Sequence, residues 1–341
     1  MSNLLERMSG LIEDIVRRKS RDAGVVGILV FGSFVSGKVR MTSDLDLLVV
    51  REDIEEWSRT RRREKGILLE IHTWPLNLLG KPFLGETGDP FSDAFRFEAM
   101  RAGRILYDPK RILQQFKRYA QTHKLPASHI KSLAERAHKS LHLAQNLLER
   151  KELEGAELEI RKAAEELARV ILLEKDVLEI NPPKTYLQHL RNEVPDFYST
   201  FREAHNLTNR QRNEIIAAIQ SISKWRERAV EEIRRRGKED WLKGAISGAQ
   251  TELSNAQDCL ENGDLEAAML QTRYSAILVT SSILRLLQGT SSNAPSTRYI
   301  ELLQSRHPYG DVVTSVMNFS HDERKLKEYI EILENIVERS R

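Results

Sequence analysis

Asp44 and Asp46 stand one residue apart at the head of the apolar run that ends at Val50. Side chains at i and i+2 of a strand leave the same face, so a strand here would aim both carboxylates at one point. Two carboxylates so placed repel each other unless a divalent cation neutralises them. Mg²⁺ suits such a pair, because it takes carboxylate, water and phosphate oxygens together. Upstream, a β-rich run ends at Phe31 and Gly32-Ser33 follows at once. A glycine lets the backbone approach a phosphate, and turn N–H groups with a hydroxyl can cradle β and γ oxygens. A nucleoside triphosphate would then bridge the Gly32-Ser33 turn and the metal pair. A third carboxylate, Glu70, lies inside the apolar segment Ile67-Leu68-Leu69-Glu70-Ile71. A charge there is costly unless it is paired or faces a site. If its strand neighbours that of Asp44, Glu70 completes a three-carboxylate cluster able to ligate metal and to take the proton of an attacking hydroxyl. Two metal ions about 4 Å apart would then clamp the attacking and leaving oxygens of an in-line displacement.

Around this core lie residues with two readings each. His72 shares the face of Glu70 and reads either as a neighbour of the site or as an ordinary hydrogen-bonded histidine. Lys38 and Arg40 lie between the two halves of the motif, where they would meet a triphosphate or serve as generic loop charges.

The elements that must hold these residues are legible around them. Leu4 to Lys19 carries apolar residues at helical spacing. Val25 to Phe31, Leu45 to Val50, Gly66 to Trp74 and Arg104 to Tyr107 read as strands. The charged segment Glu55 to Lys65 reads as a helix, Leu79 to Phe91 as a glycine- and proline-rich loop, and Asp93 to Ala102 as a helix. The expected class is therefore α+β, a small mixed sheet with flanking helices, over residues 1–115. After Pro126 strand signals vanish. Helices are expected at about 130–148, 157–177, 185–192, 196–204 and 209–236. The second half repeats the first. Ala144-Gln145 aligns with Ala256-Gln257, Arg161 with Arg273 and Pro183 with Pro295, all at an offset of 112, and Tyr186 with Tyr299 at 113. Two tandem all-α up-down bundles are expected, 116–236 and 237–341, each long enough to hold its own core.

Composition sets the outer limits. The chain has 341 residues, too many for one typical domain, with 53 Lys+Arg against 50 Asp+Glu. Residues 1–125 hold 22 basic against 17 acidic side chains. That mild excess suits a polyanion the size of a nucleoside triphosphate and is too small for wrapping duplex DNA. No apolar run approaches the ~18 residues of a membrane span, and the first ten residues lack a signal-peptide pattern. The single cysteine, Cys259, excludes an intramolecular disulfide and a cysteine-based zinc site. A cytoplasmic protein with no membrane partner is expected. The runs Arg61-Arg62-Arg63 and Arg234-Arg235-Arg236 have two readings, contact with RNA or solvated helix faces, and the lack of aromatic interleaving favours the second.

Gly32, Ser33, Gly37, Ser43, Asp44 and Asp46 fit the signature Gly-Ser, x3, Gly, x5, Ser-Asp-x-Asp. In this the chain resembles the minimal nucleotidyltransferases of the DNA polymerase β superfamily, which are kanamycin nucleotidyltransferase-like in fold. The resemblance implies Mg²⁺ dependence and transfer of a nucleoside monophosphate to an acceptor, with pyrophosphate released. It implies Asp44 and Asp46 as metal ligands with Glu70 as third acid. Gly32, Ser33, Gly37 and Ser43, with Lys38 and Arg40, would lie on the nucleotide side. The chain departs from the pattern at Ser36, where many relatives carry Arg, and at Glu70, where Asp is common. The helical repeats resemble HEPN and nucleotidyltransferase substrate-binding bundles through the Glu-Asn-Gly-Asp-Leu-Glu-Ala-Ala turn at 261–268 and the Arg-x-x-Ala step at Arg161 and Arg273.

The expected activity is transfer of a nucleotide from an NTP to a hydroxyl on a protein, a small molecule or an RNA end. Two alternatives differ in class. One is a nucleotide- or RNA-associated binding module of antitoxin type without turnover. The other is a HEPN ribonuclease, for which Arg118/His123 and Arg136/His142 have the required spacing. Homodimerisation through the bundles is a further expectation.

Overall fold

The computed structural model describes residues 2–37, 39, 43–84, 88–181, 183–242, 244–289 and 294–340. The chain divides into two compact units, Met1–His129 and Ile130–Arg341.

In chain order the first unit contains α1 (Ser2–Lys19), β1 (Val25–Phe31), α2 (Ser33–Ser36), β2 (Leu45–Arg51), β3 (Ser58–Glu64), β4 (Ile67–Pro75), α3 (Leu76–Gly80), α4 (Pro90–Ala102), β5 (Arg104–Tyr107), α5 (Ile112–Thr122) and the first residues of α6 (Ala127–Glu149). The strands form one sheet in the order β3-β4-β2-β1-β5. β2 and β4 run parallel, and every other neighbouring pair is antiparallel. Alternation splits the side chains between two faces. On one face Ile28, Val30, Leu45, Leu47, Leu69 and Ile71 pack with Met8, Leu11, Ile12 and Ile15 of α1 in a fully apolar core. On the other face α4 covers the sheet through Phe95, whose ring meets Phe31 at 5.3 Å, His72 at 5.0 Å and Trp74 at 6.4 Å. Asp89 starts α4 by accepting from the Ser92 N–H at 3.0 Å, with Pro90 in the first turn.

Two sequence expectations change here. Glu55 to Lys65 is not a helix, because Ser58–Glu64 is the edge strand β3, paired antiparallel with β4 from Ser58↔Thr73 to Glu64↔Ile67. Arg and Glu favour helices in isolation, but the open edge of β4 supplies hydrogen-bond partners that outweigh so weak a preference. The segment read as a loop at Leu79 to Phe91 instead holds the end of α3, a 3₁₀ turn over Lys81–Leu84 and the start of α4.

The second unit continues α6 and adds α7 (Leu153–Glu174), α8 (Pro183–Glu193), α9 (Pro195–Ala204), α10 (Arg212–Arg235), α11 (Ala245–Glu261), α12 (Leu265–Gln288), α13 (Pro295–Gln304), α14 (Tyr309–Met317) and α15 (Glu323–Arg339). The order α6 to α10 returns as α11 to α15. Backbone signs repeat with it. Positive φ occurs at Lys151 and Gly263, at Asn206 and Asn318, and at Asn209 and His321, each pair 112 residues apart. The two copies share one core. α7 packs against α13 and α15, and α12 packs against α8 and α10. Two buried arginines tie them together. Arg161 donates through Nε to Ala204 O (3.3 Å) and through Nη1 to Met317 O (2.9 Å). Arg273 donates through Nε to Val316 O (3.1 Å) and through Nη1 to His205 O. Each thus satisfies late carbonyls of α9 and α14 that helix geometry leaves without partners. The acceptors exchange by the same 112-residue offset. Among the described residues no helix is long and apolar enough to cross a membrane.

Candidate active site

The parallel pairing of β2 with β4 sets Asp46 directly opposite Glu70. Asp44 sits just before β2 and turns to the same face. One carboxylate oxygen from each of Asp44, Asp46 and Glu70 lies within 4.8 Å of the other two. This is the cluster expected if the two strands were neighbours. Glu70 is only 5% exposed, while Asp44 and Asp46 are half-buried.

The electrostatics of the three acids differ. Burial, then the charges of Asp44 and Glu70, raise Asp46 well above the ordinary carboxylate range. Burial pushes Glu70 the same way, but hydrogen bonds from His72 and Arg59 outweigh it and hold Glu70 at about 2. His72 Nε2 lies 2.7 Å from Glu70 Oε1, and Arg59 Nη2 donates to Glu70 Oε2 at 2.6 Å. Arg61 adds weaker ion pairs, 3.8 Å to Glu70 and 3.7 Å to Asp44. His72 is therefore hydrogen-bonded to the acid it was expected to accompany. Arg59 and Arg61 are site neighbours that the sequence reading missed. The alternation Arg59-Thr60-Arg61 in a strand would have placed both on the face of Glu70.

The Gly32-Ser33 turn meets the acids from the β1 side. Gly32 has φ 70° and ψ −148°, a region essentially confined to glycine. A β-carbon there would overlap Asp46 Oδ2. The Ser33 hydroxyl is buried without a hydrogen-bond partner among the described residues. Gly37 closes α2 in the left-handed region at φ 72°, its N–H donating to Ser33 O. Ser43 immediately precedes Asp44 at the entry to β2. Lys38 and Arg40 lie outside the described residues. Of the ribonuclease candidates, His123 stacks on Tyr119 at 3.9 Å and His142 lies 3.2 Å from the Asn146 amide.

Beyond the acids the same face continues as an aromatic ledge. Trp74 lies four residues past Glu70 on β4. Trp57 stacks on it at 5.8 Å with an interplanar angle of 18°. The Arg96 guanidinium lies 4.3 Å from the centre of the Trp74 ring.

Comparison with curated proteins finds no match. Among solved structures the chain is similar to a nucleotidyltransferase-like protein from Exiguobacterium sibiricum 255-15, at 13% identity and a TM-score of 0.41, over 88% of this chain and 87% of that one. Residues 10–101, which run from α1 through the Gly32–Asp46 motif and Glu70 to the end of α4, match the family model of the nucleotidyltransferase domain.

Proposed function

We propose that the first unit transfers a nucleoside monophosphate from an NTP to a hydroxyl acceptor, with Asp44, Asp46 and Glu70 as its acidic centre. The observation that carries this reading is the meeting of three carboxylates at the end of a Gly32-Ser33 turn whose Ser33 hydroxyl is buried without a hydrogen-bond partner among the described residues. The donor set suits divalent cations such as Mg²⁺, held by Asp44, Asp46 and Glu70. Such ions would supply charge neutralisation at the phosphoryl group. The raised proton affinity of Asp46 expresses the same need for positive charge.

The chain's own groups then have separable roles. Gly32 leaves room for the Asp46 carboxylate. The Ser33 hydroxyl offers a donor to a phosphate oxygen on the β1 side, with Gly37 and Ser43 shaping the same turn. Glu70, kept ionised by Arg59 and His72, accepts the hydrogen bond of the attacking hydroxyl and orients it, and the proton is released to water as the acceptor oxygen bonds. The new bond joins the acceptor oxygen to the α-phosphorus. The α–β phosphoanhydride bond breaks, and its electron pair leaves with pyrophosphate. The helical unit, whose repeats resemble substrate-binding bundles, is proposed to select the acceptor.

Calorimetric titration of each of the four NTPs, with and without Mg²⁺, tests the reading on wild type and on Asp44→Asn/Asp46→Asn. Metal-dependent binding of at least one NTP is expected, weakened about 100-fold or more in the variant, in line with the several kcal/mol that ligated ions supply. Equal binding by the variant, or none by wild type, would remove the catalytic assignment and leave a binding module.

A further inference from the structure

We infer that β3 and Trp57 form the acceptor side of this site, and that the acceptor is the hydroxyl end of a single-stranded nucleic acid. The inference rests on the nucleotidyltransfer reading above and adds the substrate class.

Three observations carry it. The first is position. In the sheet order β3-β4-β2-β1-β5 the Gly32-Ser33 turn follows β1, on one flank of the acids, and β3 lies on the other. With the triphosphate on the β1 flank, the attacking hydroxyl must approach from the β3 flank, where Glu70 stands opposite Arg61. The second is charge. Arg59, Arg61 and Arg63 alternate along β3 onto the face of the acids and all three are exposed; Arg59 and Arg61 pair with Glu70, and Arg63 extends the row beyond them. A mononucleotide does not need so long a basic edge, whereas a phosphodiester chain does. The third is the exposed indole. Trp57 is 53% exposed and lies flat against Trp74, so its outer surface is an open stacking platform. Cationic side chains on an edge strand also deter edge-to-edge pairing, which would account for Arg62 and Arg63. That role gives no reason for a solvent-facing tryptophan. Arginines that track a backbone, beside an aromatic ring that stacks a base, are the combination that binds single strands without reading their sequence.

The dimensions agree. Trp57 and Arg61 are four residues apart along an extended edge, about 13 Å at strand rise, within reach of a short oligonucleotide whose end lies at the acids.

The test uses the full chain with fluorescently labelled ten-nucleotide strands, in EDTA and without NTP, so that it is independent of catalysis. Anisotropy titrations are run at several salt concentrations with ribo- and deoxyribo-oligonucleotides and with a duplex. Binding of single strands in preference to duplex is expected. Trp57→Ala should weaken it roughly 5- to 100-fold, the range for loss of one base stack. Arg63→Glu, on the face of the acids, should reduce the salt slope by about 0.7, the value for one single-strand phosphate that is no longer neutralised. Neither Trp57 nor Arg63 belongs to the acidic centre, and circular dichroism melts would establish that both variants fold. Asp44→Asn/Asp46→Asn should retain binding, so failure of the transfer reading and failure of this one are separate results. A ribose-only response would name RNA, and an equal response either nucleic acid. The inference is overturned if wild type binds no single strand, or if Trp57→Ala and Arg63→Glu both bind as wild type. It is also overturned if labelled NTP is transferred only to protein, with equal efficiency in Trp57→Ala.

Discussion

At Gly32 the backbone occupies φ 70° and ψ −148°, and the space a β-carbon would fill belongs to Asp46 Oδ2. Gly37 also has positive φ, at 72°, but among the described residues beyond its chain neighbours no atom lies within 4 Å of where its β-carbon would be. The two glycines therefore predict different outcomes from one chemical change. Gly37→Ala meets only the left-handed penalty, about 1–2 kcal/mol of stability, with the acids undisturbed. Gly32→Ala enters a region costing of order 1–3 kcal/mol and also drives the Asp46 carboxylate from its position. Paired thermal melts and Mg²⁺ titrations separate them. Both variants should melt lower, and only Gly32→Ala should lose metal affinity, by at least about tenfold. Equal metal affinity in both would show that the glycine does not hold the carboxylate in place. At this scale much of the site was legible in the sequence. Asp44 and Asp46 announced themselves by spacing, and Glu70 by being the one acid in an apolar strand. Arg59, Arg61 and Trp57 were not legible, because their importance depends on which strand lies beside Glu70.

The misreading of β3 shows where element-scale inference fails. Ser-Arg-Thr-Arg-Arg-Arg-Glu carries no apolar residue, so neither helical nor strand periodicity can be read from hydrophobicity. Only the hydrogen-bonding edge of β4 decides it, and that is tertiary information. In the helical unit, by contrast, the element pattern was readable because apolar stripes face a shared core. What spacing could not give is the exchange of partners between copies, carried by Arg161 on α7 and Arg273 on α12. These arginines are equivalent in position but not in charge environment. Arg161 pairs with Glu157 on its own helix, and Glu157 also accepts from the Ser320 N–H at 2.8 Å. The position equivalent to Glu157, 112 residues on, is Met269. Arg161→Met would leave a buried carboxylate without its cation, a loss of about 3–5 kcal/mol. Arg273→Met removes a cation that burial and the nearby charges of Arg161 and Arg210 already disfavour. Its expected loss is about 1–3 kcal/mol, from the Val316 and His205 carbonyls left without donors. Urea denaturation of the two variants should rank them in that order, and the reverse order would refute this account of their environments.

Across the whole molecule, stability should depend on pH through a group far in sequence from the acidic centre. Glu165 on α7 lies among Arg169, Tyr274, Glu166 and Lys162, with His205 Nε2 at 3.9 Å. Burial lifts it from an ordinary value near 4.5 to about 7, against the opposing pull of the Arg169 charge and the Tyr274 hydroxyl. A native carboxyl that binds its proton more tightly than the unfolded chain does makes folding favour the protonated form. Below about pH 4.5 both states hold the proton and Glu165 adds no pH dependence. Between about 4.5 and 7 the native state holds more protons, so stability falls as pH rises, and above about 7 the loss is complete. The shift corresponds to about 3 kcal/mol, reduced to about 2 because 16% of the side chain still meets solvent. His205 acts in the opposite sense. Burial, then the charges of Arg161 and Arg273, keep it neutral in the native state, so its contribution grows as pH rises towards its ordinary value. The raw pH profile mixes these effects, but a difference between two proteins that both contain His205 isolates the first. Glu165→Gln keeps an acceptor for the Tyr274 hydroxyl and cannot ionise. Urea denaturation at pH 5, 6, 7 and 8 should find the variant close to wild type at pH 5 and about 2 kcal/mol more stable at pH 8. A difference that stays flat over that range would mean that the native carboxyl titrates as it does in the unfolded chain, and that the core of the helical unit admits enough water to solvate it.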